Sequence, residues 1–117
     1  MNIQPYAIPN LAPDEEGYKI GADNYASVRI TRSVAAAASM VGVTAIAFAV
    51  NVDGTPLLGP GGDSYEASHT SSSFKKDLLL ATGKVDSDKV RGLKQNAAYG
   101  AIEEMMALIA ADTIMDI

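Results

Sequence analysis

Residues 33–52 read SVAAAASMVGVTAIAFAVNV, and this stretch decides the fold because it is the most apolar segment and carries no charge. A period of two residues, typical of a β-strand, runs through its second half. Its alanine side allows close approach by another element, which we expect to be a helix. The large side chains are Ile46, Phe48, Val50 and Val52, and the small ones on the other side are Ala45, Ala47, Ala49 and Asn51.

The flanks of this strand predict two neighbouring elements. Asp53-Gly54 and a second apolar run follow it, which is a strong signal for a β-hairpin. Pro56 lacks an N–H, so the returning strand is expected to be very short or to lie at an edge. The Ala-rich first half suits a helix, and we expect one over about residues 32–41.

A membrane span is the alternative for residues 33–52. Twenty uncharged residues are long enough to cross a bilayer, and Arg29 and Arg32 precede them as cytoplasmic flanking residues would. The period of two residues, Asn51 within the run and Asp53 at its exit favour a buried strand instead.

Residues 17–32 allow two interpretations. A turn-like Gly-Ala-Asp-Asn segment at 21–24 predicts a second hairpin, with a strand or irregular segment through about residue 30. The competing interpretation is a helix that begins at Asp23 or Asn24 and ends at Gly42. The apolar residues that alternate with polar ones on either side of the turn are Tyr18, Ile20, Val28 and Ile30.

Residues 1–16 are expected to form an extended N-terminal arm. Pro5, Pro9 and Pro13 recur every four residues, exclude a regular helix and push each preceding residue toward extended geometry. A disordered tail is usually poorer in apolar residues than this segment. We therefore expect the arm to lie on another surface, such as a neighbouring subunit; a frayed terminus is the alternative. The contacting residues would be Ile3, Tyr6, Ile8 and Leu11.

The C-terminal third predicts a long helix over residues 86–112, capped by Asp86 or Ser87. At ~100° per residue its apolar residues form two adjacent seams, which together are wider than one small domain is expected to cover. Gly92 and Gly100 are expected to mark a bend or a close contact. The seam expected to face the interior is Val90, Leu93, Ala97, Ala101, Met105 and Leu108. The seam expected to face a partner is Ala98, Ile102, Met106 and Ile109.

Residues 59–73 are predicted to form the main loop, because this Gly- and Ser-rich segment shows no apolar periodicity. A glycine loop can cradle an anion on its backbone N–H groups, although this one lacks the Gly-Lys-Ser/Thr ending of a nucleotide-binding loop. His69, the only histidine, is expected to be solvated there. A short helix is predicted over residues 74–82, stopped by Gly83. Its shared face would hold Phe74, Leu78 and Ala81.

Composition narrows the classes of function. A length of 117 residues indicates one domain, and a net charge of −5 argues against a nucleic-acid backbone as partner. Without cysteine there are no disulfides and no thiolate metal sites. Neighbouring Glu103 and Glu104 point about 100° apart on a helix, so they are a poor catalytic pair. We assign no catalytic, cofactor-binding or metal-binding residue. The N-terminus shows no secretory signal.

These patterns predict an α+β protein in which a small antiparallel sheet packs against a long C-terminal helix. The arm of residues 1–16 would precede a single small α+β domain of residues 17–117. We expect a non-enzymatic, self-assembling structural or interaction protein, soluble in the cytoplasm or part of a particle. It would be a subunit of a larger homo-oligomeric or mixed assembly, of which a virion is one class. The alternatives are a small-ligand or anion-binding protein using residues 59–73, and a single-span membrane protein.

Overall fold

The computed structural model describes residues 3–34 and 37–115. Five antiparallel strands follow one another across a single sheet, and one long helix packs against one face of it. The predicted α+β class, with the sheet against a C-terminal helix, is confirmed. The elements are β1 Gln4–Pro5, β2 Glu15–Lys19, β3 Tyr25–Ser33, β4 Met40–Val50, β5 Glu66–Phe74, a 3₁₀ turn Lys75–Leu78 and α1 Ser87–Met115.

The core lies between α1 and the alanine side of β4. Ala45, Ala47 and Ala49 are at most 1% exposed, and the helix presents alanines at the same contact. Small residues on both layers let the helix axis come close to the sheet, as the alternation in β4 predicted. Ile102 and Met105 fill the remaining space and are fully buried, which stabilises the fold by about 1.5–3 kcal/mol for each side chain.

The hairpin predicted within residues 17–32 is confirmed. Strands β2 and β3 pair through a turn in which Ile20 N–H donates to the Asn24 carbonyl at 2.9 Å. The competing helix from Asp23 or Asn24 to Gly42 is wrong, and so is the helix expected over residues 32–41. Ser33 belongs to β3 and Met40 begins β4, while residues 35–36 lie outside the described chain. Backbone pairing of β4 with strands on both sides outweighs the helix propensity of alanine.

The turn after β4 forms as predicted, and the strand that returns from it is short. Asn51 N–H donates to the Thr55 carbonyl at 2.7 Å, and Gly54 takes a positive φ of 91°. Pro56 makes only an isolated bridge to Val50. The long partner of β4 is β5, which begins after a small loop closed by the Leu58–Ser64 bridge.

Strand β5 contradicts the prediction for residues 66–73, which were expected to belong to the main loop. The strand pairs in unbroken register with β4, from Glu66 opposite Phe48 to Phe74 opposite Met40. Its outward side is wholly exposed, and its helix-facing side carries small or polar residues. No apolar alternation marks such a strand, so the pattern used to recognise β4 was missing here.

The segment after β5 contains less helix than predicted. Phe74 ends the strand and is 48% exposed, and a 3₁₀ turn of four residues replaces the expected helix over 74–82. Residues 79–85 then form a small hairpin, closed by the Leu79–Val85 bridge and turning at Gly83, whose φ is 85°. This 79–85 hairpin leads directly into α1.

Helix α1 begins as the sequence indicated. The Asp86 carboxylate accepts a hydrogen bond from Asp88 N–H at 3.0 Å, which satisfies one free donor of the first turn. The helix runs antiparallel to β5, because its start lies by the 3₁₀ turn and Asp112 near its end accepts a 2.7 Å hydrogen bond from Tyr65. The end of α1 therefore lies beside the beginning of β5.

Candidate interaction surface

The two seams of α1 are not divided between the interior and a partner as expected. Ala98 and Ile102 are both 0% exposed within the single chain, together with the residues of the first seam that pack on β4. The sheet is wide enough to cover both seams, so the expectation is wrong for these two residues. Met106 and Ile109 are half-buried at the core margin, and a partner contact for them stays a prediction.

The N-terminal arm lies on its own sheet. Strand β1 pairs with β2, Tyr6 N–H donates to the Gly17 carbonyl at 2.9 Å, and Ile8 packs over Gly17. Because Gly17 has no side chain, a hollow remains on the outer face of the sheet. The Ile8 side chain fills this hollow, and Ile8 is only 8% exposed. Ile8 therefore offers little surface to a partner, contrary to expectation.

Three other arm residues keep exposed surface. Tyr6 is 41% exposed and packs against the Tyr25 ring at 5.2 Å between centroids, while Ile3 and Leu11 are half-buried. Their expected role at an interface stays a prediction. The arm is held further along by the Asn10 side chain, which donates to the Asp53 carbonyl at 3.0 Å.

The outer edge of β5 is an open edge of the sheet. In the described part of the chain, β5 is the last strand and has a neighbour on one side only. Ala49 N–H donates to the Tyr65 carbonyl at 3.1 Å. In an antiparallel pair of strands every second residue forms backbone hydrogen bonds with the partner, so this bond shows which residues of β5 face β4. Odd-numbered residues of β5 therefore direct their backbone groups at β4. The even-numbered residues Ser68, Thr70 and Ser72 direct theirs away from the sheet.

This edge lacks most of the usual protection, with Glu66 as the one charged residue on its exposed side. Exposed edges are normally blunted by proline, lysine, a bulge or short length. Strand β5 has nine residues, an unbroken register and neither proline nor lysine between Glu66 and Phe74. The opposite edge is protected, since β1 has two residues and one of them is Pro5. Sequence reasoning missed the β5 edge because its Ser and Thr residues resemble those of a loop.

His69 lies in β5 and not in a flexible loop. Its ring packs directly over Gly100, where a Cβ atom would come within 2.6 Å of the imidazole Cγ. The close contact expected at Gly100 is thereby confirmed. Nδ1 of His69 lies 3.3 Å from the Glu104 carboxylate, so the expectation of a merely solvated side chain is wrong. This packing brings the middle of α1 beside the middle of the β5 edge.

Exposed apolar residues flank the β5 edge at both ends. At the end where β5 finishes, Leu80 and Val85 of the 79–85 hairpin are 46% and 62% exposed. At the other end, Leu108 is 45% exposed and lines a groove of about 400 Å³ between the small loop and the end of α1. This Tyr65–Leu108 groove is lined by Gly59, Pro60, Gly61, Asp63, Ser64, Tyr65, Leu108, Ala111 and Asp112.

Tyr18 and Asp53 are titratable groups with shifted pKa values. Residues 3–34 and 37–115 contain no group of three or more metal-ligating side chains. Burial, followed by the nearby Glu16 carboxylate, raises the pKa of Tyr18. Hydrogen bonds from the side chain and backbone of Thr55 lower the pKa of Asp53, which is fully exposed in the turn after β4. Both shifts belong to structural contacts.

No helix within the described residues is both long and apolar enough to cross a membrane. Most of the uncharged run 33–52 forms strand β4, which lies inside the sheet between β3 and β5. Comparison of the chain with family models, curated proteins and solved structures found no match.

Proposed function

We propose that the chain is a non-enzymatic structural subunit that assembles through the open edge of β5. One observation carries this proposal: nine consecutive residues form an edge strand in unbroken register, without proline or lysine, and its even-numbered residues direct their backbone donors and acceptors outward. A strand added at such an edge gains main-chain hydrogen bonds along its whole length. A virion or another closed particle is one class of assembly built from subunits of this kind.

Ligand binding at residues 59–73 has weaker support. Half of that segment is strand β5, and the remaining loop adjoins the Tyr65–Leu108 groove. The side chains of Asp63 and Asp112 line the same groove. Two carboxylates oppose the binding of an anion, which weakens the support for the anion-binding alternative.

The proposal is tested by the mass of the chain in solution, measured by light scattering without detergent. The wild type is expected to show a multiple of its 12.2 kDa chain mass. The variant Thr70→Pro removes an N–H that faces away from β4 and places the proline ring where a partner strand would lie. We expect this variant to have the mass of one chain and a wild-type circular dichroism spectrum.

A matched control uses the neighbouring residue. Ser71 directs its N–H at β4, so Ser71→Pro breaks the sheet itself and is expected to lower the unfolding temperature of the chain. A wild type that has the mass of one chain at high concentration would contradict the proposal. An oligomer that Thr70→Pro leaves intact, with its fold preserved, would show that assembly uses another surface.

A further inference from the structure

We propose that a second copy of this chain joins β5 about a two-fold axis at Thr70, so that the 79–85 hairpin of each copy docks in the other's Tyr65–Leu108 groove. This inference rests on the proposed function and specifies its partner and register. The two docking contacts would be equivalent, one at each end of the shared edge. The dimer would contain a continuous antiparallel sheet of ten strands, with both helices on the same face.

The register follows from the strand itself. Thr70 is the central residue of the nine in β5, and its backbone groups face outward. Antiparallel pairing centred on Thr70 therefore matches all nine residues with their counterparts, and Ser68 lies opposite Ser72 of the second copy. A cross-strand pair of Thr with Thr is favourable on an exposed sheet face.

Charges at the two ends of β5 are complementary in this register. Glu66 begins the strand and Lys76 follows its end, and pairing about Thr70 places Glu66 opposite Phe74 of the second copy. The Lys76 ammonium lies 5.8 Å from the centroid of the Phe74 ring, over the end of the strand. Each Lys76 is thereby brought to the Glu66 carboxylate of the other copy. A parallel arrangement would instead place like charges together.

The helix layer follows the same symmetry. Gly100 lies against His69, next to the two-fold axis, and α1 runs antiparallel to β5. The end of α1 in one copy therefore lies beside the start of α1 in the other. The 79–85 hairpin immediately precedes that start, so it reaches the groove at the end of the opposite helix.

Both surfaces that meet carry exposed apolar side chains in the single chain, and the carboxylates of Asp63 and Asp112 also line the groove. The hairpin contributes Leu79, Leu80 and Val85, each at least 40% exposed. The groove contributes Leu108 and the Tyr65 ring, and its volume of about 400 Å³ is large enough for leucine side chains. Burial of these surfaces in the dimer would remove apolar patches from water at both ends of the edge.

Pairs of cysteine variants test the inference, since the chain has no cysteine of its own. One population carries Leu80→Cys and the other Ala111→Cys, and they are mixed and treated with a short bis-maleimide linker. We expect a covalent dimer in the mixture at a yield at least tenfold above that of either population alone. The control pair of Leu80→Cys with Gln4→Cys, at the opposite edge of the sheet, is expected to give no covalent dimer.

A second measurement separates this inference from the proposed function. Oxidation of Thr70→Cys alone is expected to give a disulfide dimer, because hydrogen-bonded antiparallel neighbours have Cα atoms about 5.5 Å apart. If Thr70→Cys forms that dimer but the Leu80–Ala111 pair does not react, docking of the hairpin is wrong and edge assembly stands. If neither reacts while the wild type is an oligomer that Thr70→Pro dissociates, the two-fold register is wrong.

Discussion

Replacement of Gly100 by alanine tests how closely α1 approaches β5. A Cβ atom at this position would lie 2.6 Å from Cγ of His69 and 2.8 Å from its Nε2, closer than non-bonded atoms approach. Overpacking of this kind typically costs about 1–3 kcal/mol. Against this, alanine favours a helix over glycine by about 1 kcal/mol. We therefore expect Gly100→Ala to lower the free energy of unfolding by up to about 2 kcal/mol.

Gly92→Ala is the matched control on the same helix. A Cβ atom at Gly92 meets nothing within 4 Å, so only the gain in helix propensity remains. We expect Gly92→Ala to raise the free energy of unfolding by about 1 kcal/mol. The two substitutions are chemically identical, and the predicted gap of about 1–3 kcal/mol between them measures the contact with His69 alone.

The assay is urea unfolding followed by circular dichroism, at one fixed protein concentration for all variants because assembly shifts apparent stability. A double-mutant cycle with His69→Ala isolates the pair. In the His69→Ala background, Gly100→Ala should be stabilising, as Gly92→Ala is in the wild type. Equal stabilisation by Gly100→Ala and Gly92→Ala in the wild type would refute the close approach of helix and strand.

Three further predictions, for two substitutions and one deletion, follow from burial and charge. Ile102→Asp is expected to unfold the chain rather than only dissociate it, since the side chain is fully buried and an unpaired buried charge costs several kcal/mol; a folded monomer by circular dichroism would contradict this. Deleting residues 1–12 should lower the free energy of unfolding by about 1.5–3 kcal/mol through loss of Ile8 burial, and an unchanged urea midpoint would oppose it. Folding raises the pKa of Tyr18, so the protonated hydroxyl makes its full contribution to the free energy of unfolding below the unfolded-state pKa of about 10. This contribution is lost as the pH rises further. The melting temperature should therefore fall less steeply above about pH 10 in Tyr18→Phe than in the wild type.

Strand β4 and helix α1 could be predicted because the periodic spacing of their apolar side chains indicates which face of each element is buried. Ala45 and Ala47 alternate with larger residues along β4, and Asp86 marks the start of α1. Strand β5 could not be recognised in the same way. Its helix-facing positions include His69 and Ser71, which are small enough or flat enough to pack under α1 without being apolar.

The Ala-rich segment before β4 was wrongly predicted to be a helix, whereas β5 was a strand that the sequence did not predict. Its local composition favours a helix, but Arg32 and Ser33 pair with β4, and Met40 and Val41 pair with β5. The pairings with β5 join residues more than 30 positions apart, and local propensity carries no information about them. The assignment of the Ala98 and Ile102 seam to a partner failed for a related reason. Its premise, that so short a chain cannot cover both seams, did not anticipate a sheet of five strands.

Amide hydrogen exchange along β5, read residue by residue by NMR, tests the central claim most directly. The N–H groups of Ser71 and Ser73 face β4 and should be protected at every concentration, whereas those of Ser68, Thr70 and Ser72 face outward. If β5 pairs with another copy, the outward-facing amides are expected to become protected as concentration rises, while exchange of the amides that face β4 stays unchanged. Fast exchange of Ser68, Thr70 and Ser72 in the assembled protein would contradict assembly through this edge.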